Sequence, residues 1–304
     1  MTNTNEARIE NCTFCNYNCS FCAHNSNYFH RGIEIMSDYL FNKIVDKLPE
    51  QITTITISGM GEPFMDKNII QKIEYAKSLG YIVNVLSNGG VLDDYMLDQL
   101  MFSGLDSLRL SIHAVDETKY KEITKAKTFE FNNAMNVVDY LYENKTKIEL
   151  IVTCDMVEND PDTIKDIRNK FESKVDLLEI WKVHNWVDTF NYRKGQVKKQ
   201  TCGRPFNGPL QIQVDGTMNM CCFDYNGELE LGDLKEQSVE SVFEGIRYKQ
   251  IKSYHNGDND IPMLCDNCDQ RYEEDPSVVI YNSRFKSGNR LGRLSTTYIN
   301  MESK

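Results

Sequence analysis

A chain of 304 residues with 40% apolar content can bury a sizeable core, as one α/β barrel or as a barrel with a smaller module. A formal charge of −11 argues against a phosphate-backbone grip on nucleic acid and against an anionic membrane surface. The one basic run, Arg193 to Lys199, reads as a solvated loop. No apolar run has the length of a membrane-spanning helix. The opening "MTNTNEARIEN" is polar and lacks the apolar centre of an export signal, so a cytoplasmic location is expected. There the ten cysteines stay reduced and read as metal ligands or reactive thiols, not disulfides.

In chain order, a first strand is expected just before Cys15, followed by the loop "FCNYNCSFCAHN" (Phe14 to Asn25). Helical spacing then begins at Ser37, a plausible N-cap, with Leu40, Phe41, Ile44, Val45 and Leu48 on one face. "ITTITIS" (Ile52 to Ser58) is short and β-branched, and reads as a strand. The alternation continues with a helix over Asn68–Leu79 and a strand over Tyr81–Ser87, then a helix over Leu92–Phe102 and a strand over Ser107–His113. A helix over Asn132–Glu143 precedes a strand over Ile148–Thr153, and a helix over Pro161–Phe171 precedes a strand over Leu177–Val183. Six β/α units imply a parallel sheet and a partial (β/α)6 TIM-like barrel over residues 1–186, with functional residues where the strands end. Residues 187–201 are polar and aperiodic and read as a linker. Residues 202–304 are expected to form a small α+β module, with a hairpin turning at Asp215-Gly216, a helix over Ser238–Tyr254 and a C-terminal tail.

Cys15, Cys19 and Cys22 place three soft ligands on one loop. Thiolates select zinc, copper(I) or iron–sulfur, and structural zinc closes its shell with four ligands. The nearest fourth candidates are Cys12, His24 and His30. A knot using Cys12 would pair Cys12-x2-Cys15 with Cys19-x2-Cys22 across only three residues, which leaves little loop; Cys12 is expected to end the first strand with its thiol unused. The other solution is a [4Fe–4S] cluster on three cysteines with one iron left open.

Cys15-x3-Cys19-x2-Cys22, with aromatic Phe21 before the third cysteine, resembles the signature of the radical S-adenosylmethionine superfamily. The resemblance implies that S-adenosylmethionine completes the open iron through its amino and carboxylate groups. It further implies methionine contacts from Gly59, Met60, Gly61 and Glu62, where Met60 departs from the commonest form. Nucleoside and carboxylate contacts are implied for Ser87 and Asn88 and for Ser111 and His113. Read by themselves, these are a glycine-rich turn, routine strand-end turn formers and a packed histidine.

Cys202, Cys221, Cys265 and Cys268, with Cys222 beside Cys221, could form a zinc ribbon. Beside such a barrel, "CGRPF", the cysteine-bearing hairpin, the helix and the Cys-x2-Cys knuckle resemble the twitch domain, a shortened relative of the SPASM domain. That resemblance implies one auxiliary [4Fe–4S] cluster on Cys202, Cys221, Cys265 and Cys268. Cys222 is expected on the opposite face of the strand, with an exchange of roles between the two neighbours left open.

The implied reaction begins with one electron from a reductant such as flavodoxin or ferredoxin and yields a 5′-deoxyadenosyl radical that removes a hydrogen atom. A closed auxiliary cluster would take the second electron, as in the aminocyclitol dehydrogenases this architecture resembles. The expectation is therefore oxidation of an alcohol to a ketone on a sugar, nucleotide sugar or aminocyclitol. Lys182, His184, Trp186 and Asp188 at the end of strand six are candidate substrate contacts, or an aromatic plug between the two modules. An epimerase would need a hydrogen-donating thiol, for which Cys154 or Cys222 are the candidates; Cys154 also reads as a small buried strand residue. Peptide modification is the further enzyme reading, with no leader-binding segment ahead of Cys15. The non-enzyme alternative, a zinc-binding interaction module, explains the thiols but not the Gly-Glu turn or the six units.

Overall fold

The computed structural model describes residues 2–187, 189–193, 198–258, 263–272, 278–285 and 297–298. Six parallel strands run in chain order: β1 (Glu6–Ile9), β2 (Thr54–Ile57), β3 (Ile82–Ser87), β4 (Ser107–Ser111), β5 (Glu149–Met156) and β6 (Leu177–Lys182), each pairing with the next. Their connections carry α1 (Asp38–Val45), α2 (Ile69–Ser78), α3 (Asp94–Phe102), α4 (Glu117–Thr124), α5 (Thr128–Glu143) and α6 (Pro161–Phe171). The helix starts follow local chemistry. Ser37, Asp93, Asp116 and Asp160 each accept a backbone N–H from the first turn of α1, α3, α4 and α6, and Pro161 opens α6. Of these six helices only α4 was not legible as an element: its apolar positions are few, and its boundary is an αL residue, Lys125 (φ 59°), not a glycine.

Alternation along the strands gives the two faces opposite characters. Ile55, Ile57, Val83, Val85, Leu108, Leu110, Val152 and Ile180 are fully buried against helix residues such as Phe41, Ile73, Leu97, Val137 and Ile167. The inner face is polar. Glu6 accepts from Arg8 and Thr56, and Asn84 reaches Thr56. Arg109 donates to Thr153 and Glu179, and Trp181 also donates to Glu179. Barrel interiors are normally filled by branched apolar residues; this one is lined with hydrogen-bonding groups.

The sheet extends beyond the six strands to eleven. β7 (Leu210–Ile212) pairs in parallel with β1, and β8 (Thr217–Asn219) and β9 (Glu230–Asp233) continue it as an antiparallel meander. Gly216, at φ +87°, makes the expected turn with Asp215 accepting from Thr217 N. α7 (Arg204–Asn207) precedes this hairpin. The single helix expected after it is two, α8 (Val239–Glu244) and α9 (Ile246–Asn256), because Gly245 is extended between them. At the other edge β10 (Val278–Asn282) pairs antiparallel with β6, and β11 (Thr297–Tyr298) pairs with β10, so the C-terminal segment returns to the barrel.

The segment expected as a linker is packed where it is described. Arg193 is fully buried, not solvated, and Lys199 N donates to Arg271 O at 2.7 Å. Among the described residues no helix is long and apolar enough to cross a membrane.

Candidate active site at the strand ends

The cysteine loop leaves β1 at the C-terminal end of the sheet. Two backbone bonds, Asn18 N to Thr124 O and Ser20 N to Ile123 O, pin it to the end of α4, both at 2.9 Å. Tyr17 is buried edge-on against Tyr120 and donates to Glu130 O, and Asn16 donates to the Glu130 carboxylate. Cys15, Cys19 and Cys22 share this frame, close enough for their charges to interact. Burial pushes the Cys15 thiol up to about 12 and Cys22 to about 11, with Cys19 well above its usual range. Three such thiols become thiolates when a cationic centre supplies the compensating charge. Two of the three other candidate ligands are engaged elsewhere, and His30 is exposed. The Cys12 thiol exchanges hydrogen bonds with the Phe14 backbone, and His24 Nε2 donates to Thr13 O at 2.8 Å. Cys12 lies past the end of β1, in an isolated antiparallel bridge with Ile35.

The turn after β2 packs directly on this loop. A Cβ at Gly61 would lie 2.5 Å from Cys12 O and 2.6 Å from Phe14 O, and one at Gly59 would enter the Glu10 side chain. Only glycine allows that approach. Met60 N donates to Glu10, whose carboxylate is held by both terminal nitrogens of Arg31. Glu62 is buried, and its carboxylate accepts from Phe64 N, Ser87 Oγ and Asn88 N at 3.1, 2.8 and 2.7 Å. Burial raises it to about 7 against the lowering effect of those three donors. With three of its acceptor positions filled, Glu62 ties the turn after β2 to the turn after β3. Asn88 completes the link, donating to Asn16 Oδ1 at 2.8 Å and lying 3.8 Å from Cys15 Sγ.

His113, beyond β4, packs edge-on against Phe21 with ring centroids 4.9 Å apart. Its Nδ1 accepts from Asp155 N, and burial lowers its pKa to about 4, so the ring is neutral. The Ser111 side chain shares the inner face with Thr153, its register partner on β5. Asp155, at the end of β5, was missed in the sequence. It lies on the inner face, within charge reach of Arg193, Arg109 and Glu179, and burial raises it to about 6. No hydrogen bond ties its carboxylate to a described residue.

Cys154 needs correcting. As the neighbour of Asp155 it points to the opposite side of the strand, fully buried, with its thiol on His113 O at 3.6 Å. Its placement is that of the small buried strand residue and not of a thiol on the inner face. Cys222 also differs from expectation. β8 ends at Asn219, so Cys221 and Cys222 sit in the following turn and not on opposite faces of a strand.

The exit of β6 is an aromatic junction. Trp186 Nε1 donates to Phe21 O at 3.0 Å, and its ring meets Phe223 and Tyr225. It holds φ +48°, with Val187 at +55°, conformations that cost a non-glycine residue about 1 kcal/mol or more each. His184 packs on Phe223 at 4.8 Å and faces Gln270; burial, then the charges of Arg193 and Arg204, push its pKa well down. Trp186 and His184 thus touch both the cysteine loop and the turn after β8. Lys182 ends β6 and its carbonyl accepts from Arg193; Asp188 lies outside the described residues.

Across that junction lie the remaining cysteines. Cys268 interacts with Cys202 and Cys265, Cys265 with Cys202, and Cys221 with Cys222 and Cys268. Burial raises Cys265 to about 12 and holds Cys221 and Cys268 well above the usual thiol range. The knuckle is braced by Arg271, which donates to Lys199 O and Cys265 O. Asp269 accepts from Asn185 N and sits 3.7 Å from Arg193, both side chains fully buried.

A pinned three-thiol loop at the mouth of a partial barrel, with a second thiol set behind it, is the arrangement that the resemblance to S-adenosylmethionine-binding iron–sulfur enzymes implies. The profile of the radical SAM superfamily matches residues 10–169, and that of an iron–sulfur cluster-binding domain, SPASM, matches residues 202–269. The chain belongs to the radical SAM superfamily and carries a SPASM-type domain. It is similar in fold to Streptococcus suis SuiB bound to the precursor peptide SuiA, with TM-score 0.69 and 12% identity over 87% of this chain and 69% of that one. It is also similar to BtrN in complex with AdoMet and 2-DOIA, with TM-score 0.59 and 16% identity over 88% and 94% of the two chains. A probable GTP 3′,8-cyclase of Methanopyrus kandleri is 26% identical over 130 residues, which are 42% of this chain and 41% of that protein. The chain spans less than half the length of the first curated relatives it matches.

Membership brings S-adenosylmethionine, the [4Fe–4S] cluster that binds it and auxiliary iron–sulfur chemistry. The residues fit these groups. Both thiol sets are free of disulfides and their cysteines lie within charge reach of one another, although among the described residues no three ligating side chains converge on a single ion position.

Proposed function

We propose that this enzyme oxidises a secondary alcohol to a ketone on a small polyhydroxylated or amine-bearing substrate. Cys15, Cys19 and Cys22 would hold the S-adenosylmethionine-binding cluster, and Cys202, Cys221, Cys265 and Cys268 the auxiliary one. The observation that carries the reading is the second thiol set gathered beyond the Trp186 junction; four cysteines of it would leave no iron open. When bound, S-adenosylmethionine and its cluster supply the one-electron chemistry that removes the substrate hydrogen, and the auxiliary cluster supplies an acceptor for the second electron. The chain's own residues bind and aim the substrate. Arg109, Thr153, Glu179 and Asn84 offer donors and acceptors suited to hydroxyl groups, and the alcohol's proton has an acceptor in the Asp155 carboxylate at the mouth.

Asp155→Asn is expected to lower kcat/KM about 10- to 100-fold, the worth of a hydrogen bond to a charged group. Steady-state kinetics would show it. An unchanged kcat/KM would remove Asp155 from the substrate site.

The function is tested by incubating reconstituted enzyme with reductant, S-adenosylmethionine and a panel of sugars and cyclitols. One S-adenosylmethionine consumed per ketone supports oxidation. Deuterium from heavy water on an inverted carbon would replace that reading with epimerisation, for which Cys222 is the remaining thiol candidate. The similarity to SuiB keeps peptide modification as the second reading, decided by whether the panel or a peptide is turned over.

A further inference from the structure

Arg204 is not accounted for by the thiols or by the substrate site. It opens α7 two residues after Cys202, following Gly203, which turns the chain at φ +83°. Its guanidinium carbon lies 4.9 Å from the centre of the Phe223 ring, and Phe223 directly follows Cys221 and Cys222. The group is thus bracketed between the first auxiliary cysteine and the hairpin cysteines, within charge reach of Cys222, Cys221, Cys202 and Cys268.

A guanidinium held over an aromatic ring keeps N–H groups for other partners. A guanidinium carries five N–H donors. No hydrogen bond or ion pair ties those of Arg204 to a described residue. Arg204 is half-buried, so these donors are open to acceptors beside it as well as to water. The cysteine sulfurs within its charge reach become anionic when they ligate iron.

We propose that Arg204 donates hydrogen bonds from its guanidinium edge to the ligating sulfurs of the auxiliary cluster and so raises that cluster's reduction potential. The inference rests on these cysteines holding a cluster, and not on which substrate the enzyme oxidises. Reduction adds one negative charge to the cluster. A fixed cation and N–H donors beside it favour the reduced form, whereas burial alone favours the oxidised one. Arg204 acts through the cluster and is a positioning residue.

The test is an anaerobic redox titration, followed by electron paramagnetic resonance, of the full reconstituted chain as wild type, Arg204→Lys and Arg204→Met. Iron is counted first. The expected result is an auxiliary midpoint that becomes more negative from wild type to Lys to Met, while the other cluster's midpoint stays fixed as an internal reference. Equal auxiliary midpoints in all three would overturn the proposal. If Arg204→Met loses the auxiliary iron, Arg204→Lys and the wild type decide. In wild type grown with 15N-arginine, a nitrogen hyperfine coupling to the reduced auxiliary cluster supports the hydrogen bonds, and its absence refutes them. A wild-type count of about four irons would overturn both this inference and the cluster assignment, whereas about eight irons with unmoved midpoints would overturn the inference alone.

Discussion

Replacing Cys15, Cys19 and Cys22 together by alanine is expected to abolish S-adenosylmethionine cleavage and to lower bound iron from about eight per chain to about four. Formation of 5′-deoxyadenosine and iron with acid-labile sulfide would be measured after anaerobic reconstitution. The fold should survive, because the loop is held by groups other than its thiols: the Asn18 and Ser20 amides on the end of α4, Tyr17 under Tyr120, and Asn16 on Glu130. Cys12→Ala is the matched control. Its thiol is engaged with the Phe14 backbone, so all the iron should remain. A triple variant that keeps about eight irons would refute the ligand assignment. Zinc in place of iron in the wild type would revive the interaction-module reading, which the family membership already disfavours.

The second large effect is expected at Asp269. This carboxylate and Arg193 are both fully buried, and Arg193 also donates to the carbonyls of Val183 and Lys182. Together they fasten the exit of β6 to the residue that follows Cys268. Asp269→Ala removes one counter-charge of a buried guanidinium that Asp155 also faces, which costs up to about 3–5 kcal/mol. Thermal unfolding of the holoenzyme should show a correspondingly lower Tm, together with weakened retention of auxiliary iron. Arg193→Met combined with Asp269→Ala should recover much of the loss, since a neutral packed pair carries no desolvated charge. If the double variant is as unstable as Asp269→Ala alone, the buried charge is not the cause.

The β/α alternation was legible because each strand and helix carries its own period. Five of the six strand expectations, from β2 to β6, overlap the observed spans, and Ser37 caps α1 as read. α4 escaped because its polar sequence is held by tertiary contacts, chiefly Tyr120 against Tyr17 and Phe131. The break at Gly245 escaped because apolar spacing runs on through it.

Spacing also exposed the two cysteine sets, since short loops confine ligands that are near in sequence. It could not say that Glu62 would be taken up by Phe64, Ser87 and Asn88, or that Trp186 would bond to Phe21. Nor did it single out Asp155, Arg193 and Arg204, whose type and position are ordinary until the chain is folded. Charge and burial at those three residues arise from segments far apart in the chain. The sequence by itself determined the strand–helix order, the ligand spacing and hence the superfamily, because those depend on local period and short-range reach. Only the tertiary structure decided which strand face a residue occupies, as with Cys154 and Asp155, and which buried charges meet. A one-residue step in a strand reverses its side, and pairing between distant segments leaves no local period to read.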